Sequence, residues 1–146
     1  MPREHSTVNM TPEELEAFVG GETRCVLGTL DEEGGPWGDA AATTIRNGAL
    51  HFRVPANSDS VTNIQKDNRV VCVFEEHPEN TGYYTTKGAI LHGHAKPCED
   101  TAAKIVLDSI PDPVTQKPDP AGVTFSIGLD DTASFDFAKI KRRFDQ

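Results

Sequence analysis

The chain has 146 residues, 36% of them hydrophobic, and a formal net charge of −9 at pH 7. That length supports a single domain, residues 1–146, which buries roughly two-thirds of its unfolded surface, and the acidic balance argues against nucleic acid, which is bound through clustered Lys and Arg. No run approaches the ~20 apolar residues of a membrane span, and three widely spaced cysteines with no CxxC pair and no signal-like run after Met1 point to reduced thiols in a cytoplasmic protein.

Residues 1–10 read as a polar arm. Thr11-Pro12-Glu13-Glu14 then supplies an N-cap, a first-turn proline and a capping-box glutamate. The short helix they open carries Leu15, Phe18 and Val19 on one side and is expected to stop at Gly20-Gly21 in a left-handed ending. Arg24 to Leu30 is a predicted strand holding Cys25 as a small core residue. Asp31 to Gly35 is a turn, and the small, extended run Trp37 to Ile45 completes a hairpin. Asn47-Gly48, a pair favoured in tight hairpin turns, leads to a third strand in which Leu50, Phe52 and Val54 alternate with His51 and Arg53. Such a meander has one buried face.

A polar crossover with a short helix follows. Its Asn57-Ser58-Asp59-Ser60 cluster ends a strand and opens a helix, so unpaired backbone N–H groups converge there, as at a phosphate site. The same cluster also serves as a plain helix cap. Arg69 to Phe74 is a fourth strand, with Cys72 in its core pattern, and His77 to Gly82 is an acidic loop. Tyr83 to Ala95 is a fifth strand, with Tyr83 or Tyr84 facing inward and with Gly88 and Gly93 marking bends or close backbone approaches. Pro97 to Ile110 reads as a helix packing through Ala102, Ile105, Val106 and Ile110. Residues 111–121 form a Pro-rich loop, and Gly122 to Gly128 is a sixth strand. Residues 134–146 are a tail that mixes Phe135 and Phe137 with Lys139, Lys141, Arg142 and Arg143. Short antiparallel strands with one crossover helix predict a mainly β fold, a six-stranded barrel with peripheral helices, because closure removes exposed edges.

No Ser-His-Asp order, HExxH, GxGxxG or P-loop stands out, so no catalytic side chain is identified. The ordered set Thr11–Val19, Val26–Leu30, Gly35-Pro36, Asn47-Gly48, Leu50–Val54, Ser58–Ile64, Arg69-Val70 and Gly93-His94-Ala95 resembles the FMN-binding split β-barrels similar to pyridoxamine 5'-phosphate oxidase, which include flavin and deazaflavin oxidoreductases. The resemblance covers about two-thirds of the chain. It implies a six-stranded split barrel and a homodimer with cofactor sites at the subunit interface. It also implies an oxidoreductase in which a bound flavin or deazaflavin exchanges a hydride with a small planar substrate. A cofactor of that kind supplies its own reactivity and asks the protein for position, electrostatics and exclusion of water.

Family members that bind a flavin phosphate usually show serine, any residue, lysine or arginine, two residues, asparagine, then leucine. The run here is Ser58, Asp59, Ser60, Val61, Thr62, Asn63, Ile64, with Ser60 at the basic position. A charge-assisted bond to phosphate is about twice as strong as a neutral one, so this replacement costs on the order of 1–2 kcal/mol of affinity. Arg53, Lys66 and Lys87 are the candidate compensating cations. The resemblance thus assigns cofactor binding to Trp37, Arg53, Val54, Pro55, Ser58, Ser60, Asn63 and Lys87, with FMN as first choice and a deazaflavin coenzyme or haem as alternatives. Trp37 also reads as a core tryptophan. His92 and His94 share a strand face, either as hydrogen-bonded strand residues or as haem ligands, and without a third ligand they are no metal site. A barrel that binds a flavin or haem without turnover is the alternative function.

Overall fold

The computed structural model describes residues 8–76 and 85–139. In order along the chain its elements are α1 (Pro12–Gly20), β1 (Arg24–Leu30), β2 (Pro36–Arg46), β3 (Ala49–Val54), α2 (Asp59–Lys66), β4 (Arg69–Glu76), β5 (Lys87–His94), β6 (Lys96–Pro97), α3 (Thr101–Asp108), β7 (Val123–Gly128) and β8 (Thr132–Asp136). All eight strands belong to one antiparallel sheet in the order β6-β7-β3-β2-β1-β4-β5-β8.

The local signals act as their chemistry requires. Thr11 caps α1 with a reciprocal capping box, its hydroxyl accepting from Glu14 N at 3.1 Å while Glu14 Oε1 accepts from Thr11 N at 2.8 Å. The helix ends at Gly20 as expected, but not in a left-handed residue. Gly21 has φ −82° and donates to the carbonyls of Ala17 and Phe18, so the last turn tightens instead. Asn47 and Gly48 both take positive φ, 54° and 73°, which gives the twist a two-residue hairpin needs between β2 and β3.

Barrel closure rests on a change of partner within a few residues. His94 pairs with Arg69 of β4, Ala95 N donates to Asn68 O at 2.7 Å, and Lys96 then pairs with Ser126 of β7. One continuous segment is thereby hydrogen-bonded to both ends of the curled sheet, and six strands enclose the core as a mainly β split barrel. Gly93 faces inward at this seam. A Cβ there would lie 2.9 Å from Ile127 Cβ, so only glycine lets β5 and β7 approach. Gly88 likewise sits beneath the Phe135 ring, and the β4–β5 register runs without a bulge from Arg69 to Glu76.

The core is filled by Leu27, Leu50, Phe52, Val54, Cys72, Leu91 and Ile127, with α1 adding Leu15, Phe18 and Val19 at one end and α2 adding Val61 and Ile64. Cys25 and Cys72 lie within it, and the Cys25 contact together with burial raises the Cys72 thiol well above its ordinary range. They pack as small apolar residues.

Four expectations are revised. There are eight strands, because the barrel's six are joined by the two-residue β6 and by β8 (Thr132–Asp136), which runs into the segment read as a tail from residue 134. The third helix begins at Thr101, since Asp100 is its N-cap and Pro97 lies in β6. It packs through Ala103 and Leu107, while Ile105 is 64% exposed. That face follows from α3 lying on the outside of β2 and β3, which buries both faces of β3 rather than one. The expected His77–Gly82 loop, Tyr83, Tyr84 and the tail residues Lys141, Arg142 and Arg143 lie outside the described residues. No helix among the described residues is long and apolar enough to cross a membrane.

Gly93→Ala should destabilise the fold by about 1–3 kcal/mol in chemical denaturation, because its methyl has no room. Gly38→Ala, whose Cβ would meet nothing within 4 Å, should change stability by no more than about 0.5 kcal/mol. The Lys139 ammonium, bonded to Glu14 at 2.6 Å, pulls that carboxyl from 4.5 down to about 2, with help from the Thr11 N–H. Because the folded pKa is the lower one, this stabilisation is present above 4.5 and is lost as pH falls toward 2. Glu14→Gln should therefore narrow the difference in thermal midpoint between pH 6 and pH 3, measured by circular dichroism.

Candidate functional site

The crossover after β3 is built by short-range hydrogen bonds. Pro55 O accepts from Ser58 N at 3.0 Å, Ser58 takes an extended conformation as N-cap, and its Oγ accepts from Ser60 N at 3.0 Å. Buried Val61 and Ile64 then seat α2 against the barrel end. Asn63 Nδ2 donates to Thr29 Oγ1 at 3.0 Å and ties the helix to β1.

The two serine hydroxyls converge on one acceptor. Ser58 Oγ donates to Asp39 Oδ2 at 3.3 Å and Ser60 Oγ donates to the same oxygen at 3.1 Å. Ser60 is fully buried. Asp39 stands on β2 opposite Leu27, and its other oxygen accepts from Ala40 N at 3.1 Å. A carboxylate from a neighbouring strand thus sits at the spot the sequence reading assigned to a phosphate. The link joins residues about 20 apart, and the sequence reading missed Asp39.

None of the three candidate cations faces this spot. Arg53 is 5% exposed and lies under α3, donating from Nε to Thr124 Oγ1 at 3.0 Å, and from Nη1 to Asp108 Oδ1 at 2.6 Å and Asp119 O at 3.3 Å. It pairs opposite Ala42, three residues from Asp39, so strand alternation puts the two on opposite faces of the sheet. Lys66 is bonded to Glu32 at 3.0 Å on the surface. Lys87 lies over the Phe18 ring, 5.5 Å from its centre. It is opposite Glu76, seven residues along β4 from Arg69, so roughly 23 Å separates it from the α2 end of the barrel.

The remaining assigned residues divide. Val54 is fully buried core and Pro55 is the turn acceptor. Trp37 is 43% exposed at the end of β2, on the same strand face as Asp39, so it is not a core tryptophan. The structure therefore brings Ser58, Ser60 and Asn63 together on α2, with Asp39 and Thr29 as their partners. It holds Arg53 and Lys87 elsewhere.

Two cavities flank the start of β4. A groove of about 220 Å³ is lined by Gly28, Thr29, Leu30, Pro36, Val70 and Val71, with Arg69 at its rim. A second, of about 390 Å³, is bounded by Arg69, Val70, His92, Gly93, His94 and Asp131. The Arg69 guanidinium grips Asp67 at 2.6 Å and holds that carboxyl at about 2. His92 and His94 are both exposed, and His94 Nδ1 is 2.9 Å from Asn68 Oδ1. Beside them runs an outward-facing apolar row across five strands: Ala40, Val26, Val73, Ile90 and Ala133 stand in register, and Val26 is 57% exposed.

A buried polar network lies under α3. His51 Nδ1 is 2.6 Å from Ser126 Oγ and Nε2 is 3.2 Å from Arg46 O. A carbonyl can only accept, so Nε2 donates to Arg46 O, while Nδ1 and the Ser126 hydroxyl are bonded to each other. Cys98 Sγ approaches within 3.5 Å and donates to Asp100 O. These groups join β2, β3, β7 and the start of α3. The period-two pattern put His51 and Arg53 on one face, but only the helix from residue 101 onward shows that this face is covered. Among the described residues no group of three or more His, Cys, Asp or Glu is placed to hold a metal.

A flavin phosphate does not fit the crossover as built. The hydroxyls that would receive it are engaged by Asp39, Asp59 adds a second negative charge in the first turn, and among the described residues Arg53, Lys66 and Lys87 are all bonded or packed elsewhere.

Residues 11–115 match the family model described as pyridoxamine 5'-phosphate oxidase. The chain therefore belongs to the pyridoxamine 5'-phosphate oxidase family. No curated protein matches it by sequence. Among solved structures it is similar to a conserved hypothetical protein from Mycobacterium tuberculosis, with a TM-score of 0.75 and 22% identity over 96% of this chain and 93% of that one. It is also similar to an FAD-binding protein from Mesorhizobium loti, with a TM-score of 0.65 and 15% identity over 86% and 94% of the two chains. A third is the heme storage protein from Vibrio cholerae, with a TM-score of 0.64 and 13% identity over 86% and 93%.

Arg53→Gln should lower stability by about 2–4 kcal/mol, because buried carbonyls lose a forked donor and Asp108 loses its partner. Affinity for any cofactor per folded molecule should stay within twofold of the parent. A large loss of cofactor affinity in a stably folded variant, read by titration alongside denaturation, would return Arg53 to the cofactor site.

Proposed function

We propose that the protein is a flavin- or deazaflavin-dependent oxidoreductase of the pyridoxamine 5'-phosphate oxidase family, acting as a cytoplasmic homodimer that exchanges a hydride with a small planar substrate. The observation that carries this reading is the family match over residues 11–115 together with an apolar groove at the start of β4. Gly28, Leu30, Pro36 and Val71 help give that groove a largely apolar lining of the kind a ring system packs against, and Arg69, paired with Asp67, lines it as well. The absence of an assigned nucleophile agrees with chemistry supplied by a cofactor. Three free cysteines support the cytoplasmic location. Because the crossover does not fit a phosphate, FMN gripped there is set aside, and recognition is assigned to the ring.

The homodimer reading draws on the Ala40, Val26, Val73, Ile90 and Ala133 row. An exposed apolar stripe across five strands suits a second copy of the same stripe about a two-fold axis, and the groove lies beside it.

A second reading, a barrel that binds a flavin or haem without turnover, is favoured by one specific observation, the carboxylate at the crossover. For haem, His92 is the available axial side chain, on the wall of the 390 Å³ cavity.

The visible spectrum of freshly purified protein, followed by titration with riboflavin, a deazaflavin coenzyme and haemin, tests these readings. Binding of a flavin or deazaflavin below ~10 μM with reduction by an added donor supports the first, and binding without turnover supports the second. Failure to bind any of the three removes both. A Soret band unchanged in the His92→Ala, His94→Ala double variant would exclude ligation by these histidines. Val26→Glu should convert a dimer into monomers by light scattering and weaken cofactor binding at least tenfold, whereas a monomeric parent would exclude the dimer.

A further inference from the structure

We infer that Asp39 is the chain's own anion at the start of α2, standing in for a ligand phosphate, and that the ligand of this barrel is recognised without a phosphate at that position. The inference deepens the proposed function by restricting the class of cofactor the barrel accepts.

The serine hydroxyls and the Ser60 and Val61 N–H groups at the start of α2 are already engaged. Each serine hydroxyl has one proton, and both protons go to Asp39 Oδ2, at 3.3 Å from Ser58 and 3.1 Å from Ser60. Ser60 N is bonded to Ser58 Oγ and Val61 N to Ser58 O. A phosphate arriving here would have to displace Asp39, which cannot swing away cheaply. Its strand position is fixed by pairing to Leu27 on β1, and its second oxygen is bonded to Ala40 N. If Asp39 stayed, the phosphate would meet it and Asp59 together, in a setting where Arg53, Lys66 and Lys87 are all turned elsewhere. The start of the helix still holds a negative charge, as the helix dipole favours, but that charge is covalently part of the chain.

The chemistry that follows is a preference against terminal phosphate. Riboflavin and FMN share one ring system and differ by that group, so their ratio of affinities reads the crossover directly. The native protein should bind riboflavin at least as tightly as FMN by fluorescence quenching. Asp39→Asn, which keeps the shape of the side chain, should shift the ratio toward FMN about tenfold, and Asp39→Asn with Ser60→Lys about a hundredfold. A second arm does not depend on flavin binding. Amide resonances of Ser60 and Val61 are followed during titration with inorganic phosphate: they should stay fixed in the native chain and move saturably in the double variant. Preference for FMN of tenfold or more in the native protein, or a saturable phosphate shift of its Ser60 amide, would overturn the inference. So would a double variant with native thermal midpoint whose amides ignore phosphate. Should that variant not fold, the two native-chain measurements decide alone. Failure of all flavin binding with the expected phosphate response would defeat the proposed cofactor while leaving the assignment of Asp39 standing.

Discussion

The fold depends on the change of partner at Ala95. A sheet of seven or eight twisted strands would otherwise present two long edges, and those edges would expose rows of unpaired N–H and C=O groups. By bonding first to β4 and then, two residues later, to β7, the β5–β6 segment joins the two ends of the sheet. This is possible only where the strands come close, and Gly93 against Ile127 marks that contact. Once the barrel is closed its two ends must be plugged, because strands alone leave apolar side chains open to water. Leu15, Phe18 and Val19 plug one end from α1, and Val61 and Ile64 plug the other from α2.

Using a helix as a plug has an electrostatic consequence. Its first N–H groups must find acceptors, and burial removes most of the water that would otherwise serve. Ser58 satisfies one donor, and the two hydroxyls brought inward then need an acceptor of their own. Asp39 meets that need because β2 runs past the plug with Asp39 and Trp37 on the same face. The crossover therefore closes on itself, whereas the apolar groove nearby, between Gly28 and Val71, remains open. The apolar groove and the polar crossover are therefore distinct in place and in chemistry.

Much of this was legible in the sequence wherever the cause is local. The capping box at Thr11, the Asn47-Gly48 turn and the period-two strands each act over a few residues, and all six barrel strands follow from them. The order of those elements was enough to identify the family. What was not legible depends on contacts between distant segments. His51 and Arg53 read as a solvent face because α3, some 50 residues later, is what covers them. The buried face of α3 itself was misread because Ile105 and Val106 are more apolar than Ala103, while close packing of the helix on β2 and β3 turns the smaller Ala103 inward beside Leu107. Asp39 gave no signal at all, since a lone carboxylate in a strand is ordinary until two hydroxyls are shown to aim at it.

The same long-range pairing explains why the candidate cations disappointed. Arg53 at the end of a strand, Lys66 along the helix and Lys87 on the fifth strand read as compensators for Ser60, but Lys87 lies over the Phe18 ring, and in an acidic chain other cations meet competing carboxylates. Arg53 is taken by Asp108, Lys66 by Glu32, Arg69 by Asp67, Arg46 by Asp100 and Lys139 by Glu14. Most of these pairs are exposed, and each contributes little to stability. Their larger effect is on recognition, because an arginine already forked onto a carboxylate offers a phosphate only an exchange of one anion for another. A surplus of negative charge therefore lowers affinity for phosphate twice, by repelling it and by occupying the groups that would bind it. On such a background a ligand gains most from apolar contact, and the Gly28–Val71 groove, with walls that carry little charge beyond Arg69, is where this chain offers it.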